Sequence, residues 1–171
     1  MIRIVTARSE AGFPTDHAEF AEVQADTVPM ILGLRFDKEL AAMAKEGLFP
    51  GVNRWSEAAW KCQKFSVDCF NWLKEHAAEK LSDDPEMTAE DNAIIDELEE
   101  SEDFSLWMAS HPYYALTVRV GIWAAVNMSG KHMTLREVYE LSDSDYDSTG
   151  FDEPFIDDDK VEDVENEAGK A

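Results

Sequence analysis

Apolar residues crowd the stretch between Pro112 and Gly130, where Leu116, Val120, Ile122, Trp123, Ala124 and Val126 cover most of a helix's circumference and Arg119 is the only charge. A helix apolar on nearly every side is one that a fold buries. Pro112 suits its first position, having no amide hydrogen to lose there, and Gly130 supplies the left-handed conformation in which helices end. A short polar link from Ser129 to Met133 follows. Thr134 and Glu137 then stand three apart, the spacing of a reciprocal cap, which starts a second helix through Leu141. The stretch from Ser110 to Asp147 is thus two helices and a tight corner around which the rest of the chain is arranged.

The longest helical pattern runs from Trp55 to Leu81 without proline or glycine. Its apolar positions, Trp55, Ala58 or Ala59, Cys62, Phe65, Cys69, Trp72 or Leu73, and Ala77, fall three and four apart by turns and make one stripe for a neighbouring helix. Trp60 and Phe70 lie off that stripe. They imply a second contact, with another helix of the chain or with another subunit. Upstream, Pro29 opens and Gly47 closes a helix in which Leu40, Met43 and Ala44 share a face; its first half, Met30 to Phe36, fits a strand equally well. Ile2 to Ala7 predicts a short strand, and Gly12, Pro14 and Thr15 a turn. Asp16 with Glu19 predicts the cap of a short helix carrying Phe20 and Val23. Asp84 and Pro85 break the chain before Thr88 and Asp91, which cap an acidic helix containing Ile94, Ile95 and Leu98. Phe104 to Met108 forms a brief aromatic patch leading to Tyr113 and Tyr114.

These elements predict a mainly α chain: a small helical bundle over residues 1–147, with a short N-terminal β-strand, an acidic connector at 81–103 and a disordered acidic tail at 148–171. An apolar content of 44%, with nine Phe and five Trp, is ample for the core of one such domain. The start, MIRIVTARSE, is too short and too charged for an apolar targeting segment, and no run approaches the roughly 18 apolar residues of a membrane span. A cytosolic protein is expected.

The net charge of -22 sits almost wholly in two segments. Leu81 to Asp103 holds 11 Asp or Glu and no Lys or Arg, and Asp143 to Ala171 holds 12 against Lys160 and Lys170. The body is nearly balanced. Such runs repel themselves, stay solvated and oppose aggregation, whereas an imitation of DNA needs carboxylates on a rigid face at phosphate-like spacing. In the tail, Phe151, Phe155, Ile156, Val161 and Val164 are spaced among acids and bury too little to offset ordering entropy. Spaced apolar residues of this kind also serve to dock on a partner. Asp157, Asp158 and Asp159 lack the interleaved ligands and glycine of a calcium loop, so no metal is assigned.

No catalytic chemistry is spelled out. Glycine-rich phosphate loops, a Gly-x-Ser-x-Gly turn and a His-Glu-x-x-His pattern are all missing from the sequence. Cys62 and Cys69, seven apart on one helical face, are too distant to bridge and are expected as core thiols. His17, His76, His111 and His132 form no ligand spacing, so neither an enzyme nor a cofactor is expected. The helix LREVYEL would bring one Arg and two Glu to phosphates, which disfavours nucleic acid. Trp107, Tyr113, Tyr114 and Trp123 are the candidate partner-binding residues, because such rings offer large rigid surface with a polar edge; burial in the core is the alternative for each.

The stretch ALTVRVGIWAAVNMSGKHMTLREVYELSDSDYD resembles the C-terminal part of the tail assembly chaperones of long-tailed bacteriophages. The resemblance rests on an apolar helix with Trp123, a small-residue corner ending in Gly130, the T-x-x-E-V pattern of Thr134, Glu137 and Val138, and the acids Asp143, Asp145 and Asp147. It covers about a fifth of the chain, and it departs at Asn127, where the family often carries a basic residue. Gly169 and Lys170 are compatible with the ribosomal slippage usual near the end of such genes. The resemblance implies a non-enzymatic chaperone that coats the tape-measure protein, keeps its apolar helices soluble and helps recruit tail-tube subunits, with self-association open. The rivals are an acidic DNA mimic that inhibits a host defence nuclease or DNA-binding protein, and a helical scaffold subunit.

Overall fold

The chain begins with a hairpin. In the computed structural model, which describes residues 1–78, 80–81 and 88–147, β1 (Ile2–Arg8) pairs antiparallel with β2 (Pro14–Phe20). A short β3 (Tyr146–Asp147) adds to the other edge of β1 at Ile4 and Arg3, giving the order β2-β1-β3. The tail at 148–171 and the Asp84–Pro85 break lie outside the described residues.

The short helix expected from Asp16 is instead β2. Ile2 lies opposite Phe20 and Ile4 opposite Ala18, so the two strands bury one common face, and this period of two outweighs the apparent cap. Asp16 Oδ1 accepts from the adjacent His17 amide (2.8 Å), which leaves no helix end for it to serve.

Six helices follow among the described residues: α1 (Met30–Lys45), α2 (Trp55–Ala77), α3 (Ala89–Glu99), α4 (Glu102–Ser110), α5 (Tyr114–Met128) and α6 (Leu135–Glu140). The ambiguous half of α1 is helical. Its end is a Schellman motif: the Leu48 amide donates to Met43 O (3.0 Å) and the Gly47 amide to Ala44 O (3.1 Å), with Gly47 at φ 78°, a conformation that disfavours any Cβ. Thr88 and Asp91 start α3, and Thr134 and Glu137 start α6, through reciprocal capping boxes. Within the acidic stretch Ala89–Glu99 is therefore helical, with α3 packed along α2. Ser101 Oγ accepts from the Phe104 amide (3.2 Å), turning the expected aromatic patch into α4.

Pro112 does not open α5. The Tyr114 amide donates back to His111 O (3.1 Å), making a turn over 111–114, and the helix starts two residues late. α5 then runs through the centre, with Val120 and every residue from Ile122 to Asn127 buried. Phe36, Trp55 and Trp123 meet there, Phe36 at 5.1 Å from each tryptophan ring and both times edge-on. Gly33 admits the Trp55 ring against α1, since a Cβ at that position would lie 2.8 Å from Trp55 Cδ1.

The far end of the described chain is tied to its start. Arg8 Nη2 donates to Asp145 Oδ1 (2.6 Å) and to Ser144 O (2.8 Å), anchoring the turn that delivers β3. The Asp145 carboxyl is held down from its ordinary 3.8 to about 2, first by the Ser142 hydroxyl and then by the Arg8 guanidinium. A carboxyl lowered on folding stabilises the fold above its unfolded value, and that stability is lost as pH falls through its folded value. The stability difference between the native chain and Asp145→Asn, read from paired melts, is therefore expected to be full near neutral pH and to shrink from about pH 4 towards about pH 2. A difference constant with pH would contradict this.

Candidate functional site

α2 has two apolar faces. Its first stripe is buried, as expected, through Ala58, Cys62, Phe65, Leu73 and Ala77. A second runs four and three apart through Ser56, Trp60, Gln63, Val67, Phe70 and Lys74, and every one of these residues is exposed. Trp60 keeps 55% and Phe70 59% of its surface in solvent. No helix among the described residues covers them, which corrects the expectation of a second contact within the chain. The stripe contains no Asp or Glu. The carboxylates of α2 fall beside it, where Glu57 pairs with Lys61 (2.9 Å) and Asp68 with Lys64 and His111. Lys74 Nζ sits 5.2 Å above the Phe70 ring.

From Trp60 a row of rings continues across α2, α4 and the start of α5. Trp60 lies 6.2 Å from Tyr113, Tyr113 5.6 Å from His111, and His111 5.5 Å from Trp107. Trp107 lies 5.9 Å from Trp72, which stacks on His76 at 3.7 Å. His111 is the hinge of the row. Its Nδ1 accepts from the Tyr113 amide (3.1 Å), which places the neutral ring's proton on Nε2, facing Asp68 Oδ2 at 3.2 Å. Leu106, on α4, is also exposed.

Three of the four residues singled out from the sequence meet here. Trp107 and Tyr113 belong to the row, and Tyr114 flanks it, 6.0 Å from Phe65. Trp123 does not. With 0% of its surface exposed it is a core residue, and it offers nothing to a partner in this fold. Its indole Nε1 donates to Glu39 Oε2 (3.0 Å), the same oxygen that accepts the Leu135 amide (2.7 Å). Glu39 Oε1 accepts from Arg35 Nε (2.8 Å), and Arg35 reaches on to Asn127 Oδ1 (2.8 Å) and Met133 O (3.1 Å). These groups latch the α5–α6 corner onto α1.

Trp60, Phe70 and His111 were absent from the sequence-derived site. For the first two the signal was present, as apolar residues off the buried stripe. His111 gave none. The thiols carry little nucleophilic character: burial pushes Cys62 up, and burial followed by the Asp68 carboxylate pushes Cys69 up to about 11. An open groove of about 370 Å³ beside α6 is lined by Met43, Phe49, Tyr139 and Arg136, with Arg136 paired to Glu140 (2.9 Å). Among the described residues no group of His, Cys, Asp and Glu is placed to hold a metal ion, and no helix is long and apolar enough to cross a membrane. The chain matches no family model, no curated protein and no solved structure.

Proposed function

We propose that this protein is a non-enzymatic assembly chaperone that grips apolar helices of a long-tailed phage's tape-measure protein and helps recruit tail-tube subunits. The observation that carries the gripping role is the exposed stripe Trp60, Val67 and Phe70 on α2, continuous with the half-buried row of Tyr113, His111 and Trp107. A chain keeps large rings in contact with water at a cost, and such patches mark surfaces used for association. Trp60, Val67 and Phe70 stand seven and three apart on one helical face, which suits an amphipathic helix laid along α2. The client's identity rests on the resemblance carried by Trp123, Gly130, Thr134, Glu137 and Val138.

Co-expression with a tape-measure fragment that is insoluble alone tests the reading. The native chain is expected to bring the fragment into the soluble fraction, and Trp60→Asp with Phe70→Asp to fail while remaining folded. An insoluble fragment beside the native chain would contradict it.

One observation favours the DNA-mimic reading as second. The cap at Thr88 and the packing on α2 hold Glu90, Asp96, Glu97 and Glu99 on an ordered helix. That reading predicts binding to a basic groove that weakens steeply with salt; an apolar grip tolerates salt.

A further inference from the structure

His111 stands at the joint of α4 and α5, tied to it by backbone and ring together. Its amide donates to Met108 O at the end of α4 (3.0 Å), its carbonyl accepts the Tyr114 amide at the start of α5 (3.1 Å), and its ring Nδ1 accepts the Tyr113 amide between them (3.1 Å). The last of these depends on charge. A neutral imidazole has one acceptor nitrogen and an imidazolium has none, so the Tyr113 bond exists only while His111 is neutral.

The ring is held where it is. Only 11% of the side chain is exposed, Phe65 lies edge-on at 4.9 Å, and Nε2 faces Asp68 Oδ2 at 3.2 Å. The charged groups that face it come from α2: Asp68, whose other oxygen is bound by Lys64, and Lys61, which lies 5.7 Å from the Tyr113 ring and is itself paired with Glu57. α4 and α5 bring Trp107 and Tyr113 against it. The Lys64 ammonium holds the Asp68 carboxyl below its ordinary value, so Asp68 keeps its charge where imidazoles ordinarily titrate, at about pH 6.5. A proton added at Nδ1 thus binds Nε2 more firmly to Asp68 and sets two donors, Nδ1–H and the Tyr113 amide, face to face. His76, the row's other histidine, differs: its Nδ1 faces Trp72 O at 2.8 Å, so that nitrogen already carries the proton and a second one breaks no contact.

We infer that His111 is a proton-operated switch in the ring row: neutral, it seats Tyr113 beside Trp60; protonated, it stays on Asp68, releases the Tyr113 amide and lets the Tyr113 ring leave Trp60, dividing the row between α2 and α4. As a control on client binding the switch rests on reading the row as part of the gripping surface; as a property of the fold it does not.

NMR of the full chain with no client, from about pH 8 to about pH 5 and so above the ordinary carboxylate range, tests it. The His111 ring nitrogens report that residue's own titration, and the Tyr113 amide and the Trp60–Tyr113 ring NOEs report the switch. Tyr113 protection, corrected for the intrinsic exchange rate, is expected to fall about tenfold, the worth of one hydrogen bond, and the NOEs to vanish, both at the His111 midpoint. Asp68→Asn keeps an acceptor for Nε2 but removes the counter-charge, and is expected to move that shared midpoint to lower pH. His111→Phe keeps a ring and is expected to leave the Tyr113 amide unprotected at every pH. Unchanged Tyr113 protection while His111 titrates would overturn the switch. So would a pH-dependent loss that persists in His111→Phe, because another group would then carry it. With no client in the assay these failures leave the chaperone reading standing, and failed client rescue leaves the switch standing.

Discussion

Trp123→Ala is expected to cost about 3–5 kcal/mol, the range for removing a large buried ring whose site cannot collapse. The site is rigid on all sides. Phe36 stands edge-on at 5.1 Å, Trp55 at 5.9 Å, and Arg35 lies over the ring at 5.7 Å. The substitution also removes the indole donor from Glu39. Against a total stability of about 5–15 kcal/mol this is a large fraction, and it should lower the urea midpoint by about 2 M for a slope near 2 kcal/mol/M. Trp123→Phe keeps the ring contacts and loses mainly the hydrogen bond, so its shift should be less than half as large. Trp60→Ala, at an exposed tryptophan, should stay within about 0.5 kcal/mol of native. If Trp60→Ala destabilised as much as Trp123→Ala, the assignment of one ring to the core and the other to the surface would be wrong.

Glu39→Ala is expected to be nearly as damaging, on the order of 3 kcal/mol, because it takes the counter-charge from Arg35 and leaves the Trp123 indole and the Leu135 amide without their acceptor. The loss should be local as well as global. Leu135 opens α6, so its amide should exchange faster by more than the global loss explains, and Arg35 should release Asn127 and Met133. Glu39→Gln retains an acceptor and should be milder. Equal effects of Ala and Gln, or a Leu135 amide unaffected by either, would show that the carboxylate does not hold the corner.

Both residues mark the boundary of what sequence reveals. The caps at Thr88 and Thr134 and the stops at Gly47 and Gly130 were legible because each is decided within four residues. The buried stripe of α2 was legible because its period is intrinsic to the helix. β2 was misjudged because Asp16 and Glu19 mimic a cap while the decision lies with Ile2 and Ile4 across the hairpin. Pro112 was misplaced because His111, through both its carbonyl and its ring, shapes the turn. The apolar helix around Trp123 already pointed to burial, but its ring also suited a partner surface, and only the approach of α1 and α2 to α5 seals it while Trp107 stays half-exposed. The Glu39 latch was invisible for the same reason: Arg35 and Glu39 have the spacing of an ordinary surface pair, and their other partners lie more than 80 positions away.

In the proposed grip, uncharged rings on α2 hold the client and the acids of α3 keep the complex dispersed. A photoreactive phenylalanine derivative placed at Val67 or at Glu97, in the presence of the tape-measure fragment, puts the two faces in direct competition. Cross-linking is expected from position 67 and to persist at about 1 M salt, where charges are screened beyond about 3 Å. Adducts from position 97 that vanish at that salt, with none from position 67, would contradict it.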